Sequence, residues 1–380
     1  MLPGLAALES VGEEPIEALV LMSAVKKAPC SWGRGSKNKN PVETLSMLHS
    51  RRMANSRPRV LVTELEYRKA EGSFLSAPGL ECLRAPEAEA DLASAIREAH
   101  ASYVVVGART YSGALYEALP VGGVIARFGV GHDSIDKAKA TAAGLLCTNT
   151  PGVLNQSVAE HTMLLVAAAA RTLIAMSTSM ARHLWDPATG AELQGKTLAI
   201  IGCGGIGRGV ARIASLGYGM QVVGCSRPDA PPPAALEHFG ELTNDFATAV
   251  RGADFVSLHM SARPDNLHWL NRERLACLGE RSWLINTARG SLVDEAALFA
   301  ALAERRLAGA ALDVFAREPY APVEGGGDLR SLPNVILTPH VGSNTVEANR
   351  RMAERALQNI VLAEARAFAR MDLVNPEVLT

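Results

Sequence analysis

The chain has 380 residues, of which 48% are hydrophobic and 20% charged, and its formal net charge is −1. That length accommodates two domains of ordinary size, and the near-zero charge gives no electrostatic reason for nucleic acid or an anionic membrane as a partner. Six scattered cysteines without a C-x-x-C pair suggest neither a disulfide framework nor a zinc site, and they fit a reducing, cytoplasmic setting.

Residues 1–57 differ from the rest, with the polar run Ser36-Lys37-Asn38-Lys39-Asn40-Pro41 and no clear period. Early acids at Glu9, Glu13, Glu14 and Glu17 argue against a secretory or transit peptide. The segment reads as a disordered extension, or as sequence lying ahead of a start at Met53. Arg59-Val60-Leu61-Val62-Thr63 is a first buried strand, Pro86 to His100 a helix rich in Ala and Glu, and Tyr103-Val104-Val105-Val106 a second strand. Val124 to Phe128, entered through Gly122-Gly123, is a short third strand that carries a charge at Arg127. Strand, helix and strand in alternation imply a parallel sheet with helices on its faces.

Asn155 to Met180 reads as one long Ala-rich helix; its most apolar part, Met163 to Ala170, is cut by Arg171 and is too short to cross a bilayer. A second alternating series runs from Lys196 to about Pro339. A helix from Thr345 to Ala369 and an extended tail, Leu373-Val374-Asn375-Pro376, complete the chain. A tail helix after a finished α/β unit packs back on an earlier domain, so the first domain is expected to draw on both ends of the chain.

The second series opens with an apolar run, Thr197-Leu198-Ala199-Ile200-Ile201, that leads into Gly202-Cys203-Gly204-Gly205-Ile206-Gly207. This matches G-x-G-x-x-G between a strand and a helix. The glycines allow a tight turn, close approach to a pyrophosphate and close helix–strand packing, and the helix N-terminus offers free N–H groups to phosphate. The next strand, Met220 to Gly224, ends before Ser226, nineteen residues beyond the last glycine, where a ribose-reading residue belongs. Ser226-Arg227 in place of an acid favours NADP(H), because a guanidinium can pair with a 2′-phosphate, and leaves NAD(H) possible.

From here the chain resembles the D-isomer-specific 2-hydroxyacid dehydrogenases over residues 58–380. The motifs that carry the likeness come in the family's order. They are Arg127-Phe128-Gly129-Val130-Gly131, Asn149-Thr150-Pro151-Gly152-Val153 and Val158-Ala159-Glu160-His161 before the glycine fingerprint. After it stand Ile285-Asn286-Thr287-Ala288-Arg289-Gly290, Ala311-Leu312-Asp313-Val314-Phe315, Glu318-Pro319, Thr338-Pro339-His340 and Val374-Asn375-Pro376-Glu377.

The resemblance implies a catalytic trio of Arg289, Glu318 and His340. Hydride reduction of a ketone leaves an alkoxide, which needs a proton donor that titrates near neutrality, and histidine is the natural one. Glu318 would orient the ring and favour its charged form, and Arg289 would hold the substrate carboxylate and polarise the carbonyl. By the same likeness Val130 and Gly131 bind the substrate carboxylate through backbone N–H groups. Thr287, Ala288, Asp313 and Gly342 stand near the nicotinamide, with Gly202, Gly204, Gly205, Ile206, Gly207, Ser226 and Arg227 on the rest of the dinucleotide. His132, beside the expected substrate loop, is worth watching. No metal is called for.

Two departures bear on substrate. Met260-Ser261 follows Leu258-His259 where the family commonly has Pro. Gly107, in Gly107-Ala108-Arg109-Thr110, stands where phosphoglycerate dehydrogenases of the family carry a phosphate-binding Arg. The expected substrate is therefore a small 2-oxo acid of the glyoxylate or hydroxypyruvate type, giving the D-2-hydroxy acid. A phosphoglycerate dehydrogenase and a nucleotide-sensing binding protein of the same fold are the alternatives. The expected fold is α/β, with two doubly wound parallel-sheet domains. They are a flavodoxin-like, discontinuous substrate domain (58–154 and 341–380) and a Rossmann-type cofactor domain (155–340). The family's dimer element corresponds to the long helix, which suggests a homodimer.

Overall fold

The computed structural model describes residues 57–227 and 237–380; the expectation for the N-terminal extension lies outside them. The apolar runs form two sheets. The first contains β1 (Arg59–Thr63), β2 (Glu81–Ala85), β3 (Tyr103–Val106), β4 (Val124–Arg127) and β5 (Leu146–Thr148), in the order β2-β1-β3-β4-β5. The second contains β6 (Thr197–Ile201), β7 (Gln221–Cys225), β8 (Glu241–Thr243), β9 (Phe255–Leu258), β10 (Trp283–Asn286), β11 (Gly309–Leu312) and β12 (Val335–Leu337), in the order β12-β11-β10-β9-β6-β7-β8. Every neighbouring pair is parallel. Parallel strands need crossovers, and these place helices on both faces, so the inner strands are buried on both sides.

Five helices fix the architecture: α1 (Glu89–Ala99), α2 (Asn155–Ala170), α3 (Leu173–Ala181), α4 (Gly205–Tyr218) and α5 (Val346–Glu364). Alternate residues of the first sheet serve opposite cores. Val60, Val62 and Val105 pack with Met352, Ala356 and Ile360 of α5, while Leu61, Val104 and Val106 pack with Leu92 and Ile96 of α1. The second sheet rests on α2 and α4, where Met163, Val166, Val210 and Ala214 meet Leu198, Ile200 and Ile285. The chain thus crosses from the first sheet to the second and returns with α5 to the first. In each sheet the strand order reverses once, between β1 and β3 and between β6 and β9, and a crevice opens at the carboxyl ends of those strands.

The single helix expected from Asn155 to Met180 is a bent pair. α2 and α3 meet at 68°, and Thr172 between them has a left-handed φ of 48°. The cause is packing: α2 buries ten of its residues, whereas α3 buries none, so the chain turns off the sheet where its cover ends. No single helix among the described residues is long and apolar enough to cross a membrane. The last long helix begins at its Thr345 cap, whose hydroxyl accepts from Ala348 N–H. It ends at Glu364, short of Ala369, because Arg366 takes a left-handed φ of 54°.

The closing tail is stitched to the first sheet by a backbone bond from Val374 N–H to Cys147 O at 2.9 Å and by one buried side chain. Asn375 is fully buried; its Oδ1 accepts from Cys147 N–H at 2.8 Å, and its Nδ2 donates to Leu145 O at 2.9 Å and Thr141 Oγ1 at 3.0 Å. Asn375→Ala strands a buried backbone donor and acceptor, and is expected to cost about 2–4 kcal/mol of stability in denaturant unfolding. An unchanged midpoint would show that the Asn375 side chain contributes nothing.

Candidate active site

The glycine loop at the end of β6 has the geometry its sequence requires. Gly202 has φ +107°, which a side chain rarely adopts, and a Cβ there would stand 2.7 Å from His259 O at the end of β9. Gly204 faces open space at the first turn of the 14-residue α4. A Cβ on Gly207 would overlap Gly202 O, so that glycine lets helix and strand touch. An open backbone at a helix N-terminus, set at the point where strand order reverses, fits a pyrophosphate. Ser226 follows β7 with its N–H bonded to Thr243 O, and its side chain meets Cys203 of the glycine loop. Ser226-Arg227 therefore stands beside the loop, a serine and an arginine at the strand end.

A cleft of about 730 Å³ runs from this loop to the first sheet. Arg289 and His340 both line it. His340 Nδ1 lies 2.6 Å from Glu318 Oε2, and because a carboxylate only accepts, Nδ1–H donates and Nε2 is left for the cleft. Glu318 is itself held, its Oε1 accepting from Phe315 N–H at 3.0 Å.

The turn that carries Arg289 is organised by buried Asn286, which accepts from Ala288 N–H and donates to Arg289 O. The guanidinium bonds to Asp133 Oδ1 at 3.1 Å and to Ala288 O at 2.6 Å. It presses on the loop from the first sheet: a Cβ on Gly131 would overlap it. That loop is shaped by Asn149, whose Nδ2 donates to Val130 O at 2.7 Å, and by Thr150 N–H on Gly129 O. The N–H groups of Val130 and Gly131 have no partner among the described residues. Free N–H groups beside a guanidinium are suited to a carboxylate.

Asp313 and Gly342 belong to one clamp. Asp313 is 1% exposed and accepts from Thr338 Oγ1 at 2.6 Å, Val341 N–H at 2.9 Å and Gly342 N–H at 2.8 Å, with His161 Nε2 at 3.4 Å. Burial alone would raise its pKa; the bonds from His161, Thr338, Val341 and Gly342 outweigh that and hold it below the usual carboxylate range. The clamp brackets His340, which sits at a left-handed φ of 52° with its N–H on Asp313 O. Thr287, tied to Thr162 by a 2.9 Å hydroxyl contact, Ala288 and Ile206 line the same cleft. His132 is there too, its Nδ1 3.2 Å from Lys137 Nζ; burial and that ammonium hold it below the ordinary histidine range.

Several lining residues escaped the sequence reading. Arg127 is 8% exposed, and burial and the nearby Arg289 bring its pKa down to about 10, so it stays charged at neutral pH. It donates to Phe128 O, its Nε has no partner, and it forms no ion pair among the described residues. A charge inside an otherwise apolar strand was the available signal. Asp133, partner of Arg289, and His259 were also missed. The His259 ring bonds Ser257 at 2.9 Å and is pushed by burial to about 4. At Gly107 the space for a side chain is taken by the buried carboxylate of Glu66.

Residues 163–342 match the family model described as "D-isomer specific 2-hydroxyacid dehydrogenase, NAD binding domain". The chain is similar to a glyoxylate reductase of Thermococcus litoralis, 38% identical over 70% of this chain and 81% of that one. A D-3-phosphoglycerate dehydrogenase of Methanocaldococcus jannaschii is 40% identical over 66% of this chain but only 46% of that one. Among solved structures, an NADPH-dependent glyoxylate/hydroxypyruvate reductase of Sinorhizobium meliloti, in complex with NADP and malonate, superposes with a TM-score of 0.71. It is 29% identical and covers 84% of this chain and 98% of that one.

Gly131→Ala forces the loop and the Arg289 guanidinium apart. With dinucleotide present, calorimetry is expected to show the affinity for oxamate, a small carboxylate, falling about tenfold or more, the worth of one charge-assisted contact. Unchanged affinity would separate the loop from anion binding.

Proposed function

The chain belongs to the D-isomer-specific 2-hydroxyacid dehydrogenase family, and we propose that this NAD(P)-dependent oxidoreductase reduces glyoxylate, hydroxypyruvate or a 2-oxo acid of similar size to the D-2-hydroxy acid. The observation that carries this reading is the 2.6 Å contact of Glu318 with His340, on the cleft where Arg289 meets Gly131.

The residues divide the work. Val130 and Gly131 N–H groups and the Arg289 guanidinium hold the substrate carboxylate, and Arg289 also polarises the carbonyl. Glu318 fixes the His340 ring so that Nε2 gives its proton to the carbonyl oxygen. Thr287, Ala288, Asp313 and Gly342 border the nicotinamide side; Gly202, Gly204, Gly205, Ile206 and Gly207 take the pyrophosphate, and Ser226 and Arg227 the adenosine ribose. When bound, the nicotinamide supplies the hydride.

Ser226-Arg227 in place of an acid directly after β7 favours NADPH over NADH. The division into 58–154 with 341–380 and 155–340 is supported by α5 packing on the first sheet and α2 on the second. A homodimer is supported by exposed Leu173, Ile174, Met180, Leu184 and Trp185 on and after α3. A cytoplasmic setting is supported by the free thiols of the five described cysteines.

The test is oxidation of NADPH and NADH against a panel of 2-oxo acids. Nucleotide binding without turnover on any acid would favour a sensor instead. His340→Ala is expected to lower kcat by about two to four decades with cofactor affinity near normal; unchanged turnover refutes its role. Arg227→Ala is expected to weaken NADPH far more than NADH, and equal losses would show the ribose site misread.

A further inference from the structure

Behind His340 lies a second cavity, of about 870 Å³, at the carboxyl ends of β1 and β3 where the first sheet reverses its strand order. It shares Arg127, Phe128, His340 and Ser343 with the cleft described above. Gly131 and Arg289 line only that cleft; Thr63, Glu66 and Gly107 line only the second cavity. On the reductase reading, a 2-oxo acid held by its carboxylate at Gly131 and Arg289, with its keto carbon at His340, has the second cavity open to its remaining substituent.

The wall it meets there is a carboxylate. Glu66 follows β1 and is 6% exposed, an unusual place for an acid. Thr63 Oγ1 donates to its Oε2, while its Oε1 occupies the space that a side chain at residue 107 would fill. Gly107 is what lets the carboxylate stand there. The ammonium of Lys69 is 3.9 Å away with 36% of its side chain exposed, so water screens that pair. Arg109 and Arg330 stand exposed on the cavity wall, and Glu87 adds a second acid. Arg127, buried between the two cavities, lies close enough for Glu66 to support its charge.

We propose that Glu66 is a specificity residue for the substituent beyond the keto carbon, admitting hydrogen or a hydroxyl-bearing carbon and rejecting an anion. The proposal rests on the reductase reading above and narrows it. A hydroxyl donates to the carboxylate and satisfies it. A phosphate or second carboxylate brings like charge against a group that bulk water reaches poorly.

The experiment is calorimetry on enzyme loaded with NADP⁺, using D-glycerate and 3-phospho-D-glycerate as probes. The wild type is expected to bind D-glycerate about tenfold or more tightly than its phosphate ester. Glu66→Gln keeps an acceptor for Thr63 and removes the charge; it should narrow that ratio about fivefold or more, chiefly by tightening the ester. Glu66→Asp, which keeps the charge, should retain most of the discrimination. A ratio unchanged in the Gln variant, or equal weakening of both probes as a structural role would give, overturns the proposal. Glyoxylate turnover by the wild type is read separately: its absence sinks the reductase reading, while the binding ratio still decides Glu66.

Discussion

Asp313 carries a charge into a place almost wholly shut off from water, and the loop that carries His340 is built around satisfying it. Ionised carboxylates are expensive to bury unless hydrogen bonds replace the lost water. Thr338, Val341 and Gly342 supply those bonds, and all three lie within two residues of His340. The bonds hold the chain on both sides of His340 while the histidine takes a left-handed backbone that costs roughly 1–2 kcal/mol for a residue with a side chain. His161, reaching across from α2, completes the clamp and ties the loop to the helix that follows the first sheet. The imidazole thus meets Glu318 through the demands of a neighbouring carboxylate.

A second constraint is the crowding of positive charge. Among the described residues Arg127 is buried without an ion-pair partner, and Arg289, close enough to lower its pKa, has one acid partner, the half-exposed Asp133. Two guanidiniums near one cleft repel, and that arrangement is tolerable where an anion belongs. The free N–H groups of Val130 and Gly131 add to the same field. Such donors are arranged before the ligand arrives, so little reorganisation is left for the moment of reaction. Beyond them Glu66 sets a buried carboxylate within reach of Arg127, so this field is not uniformly positive.

The fold was legible wherever one short run of sequence carried a whole element. Val60 to Val62, Val104 to Val106 and Leu198 to Ile201 are apolar on both faces, as buried parallel strands must be. β2 and β5 were not seen: Glu81–Ala85 is half exposed with charges at both faces, and Leu146–Thr148 is three residues long. The break between α2 and α3 was equally hidden. Apolar residues run on past Ala170, and nothing local says that the sheet beneath them ends.

The site divides along the same line. Glycine spacing and Ser226-Arg227 after β7 are local chemistry, and the ordered motifs around Arg289, Glu318 and His340 carried the family resemblance, so the sequence by itself determined the reaction class and offered residues for it. Which groups meet was decided only by the folded chain. Arg289 against Gly131, Asp313 bracketing His340, and Glu66 in the space left by Gly107 join segments that are from 25 to more than 150 residues apart. Periodicity and motif report what a segment prefers; burial, steric overlap and charge compensation between distant segments exist only once the two sheets have packed.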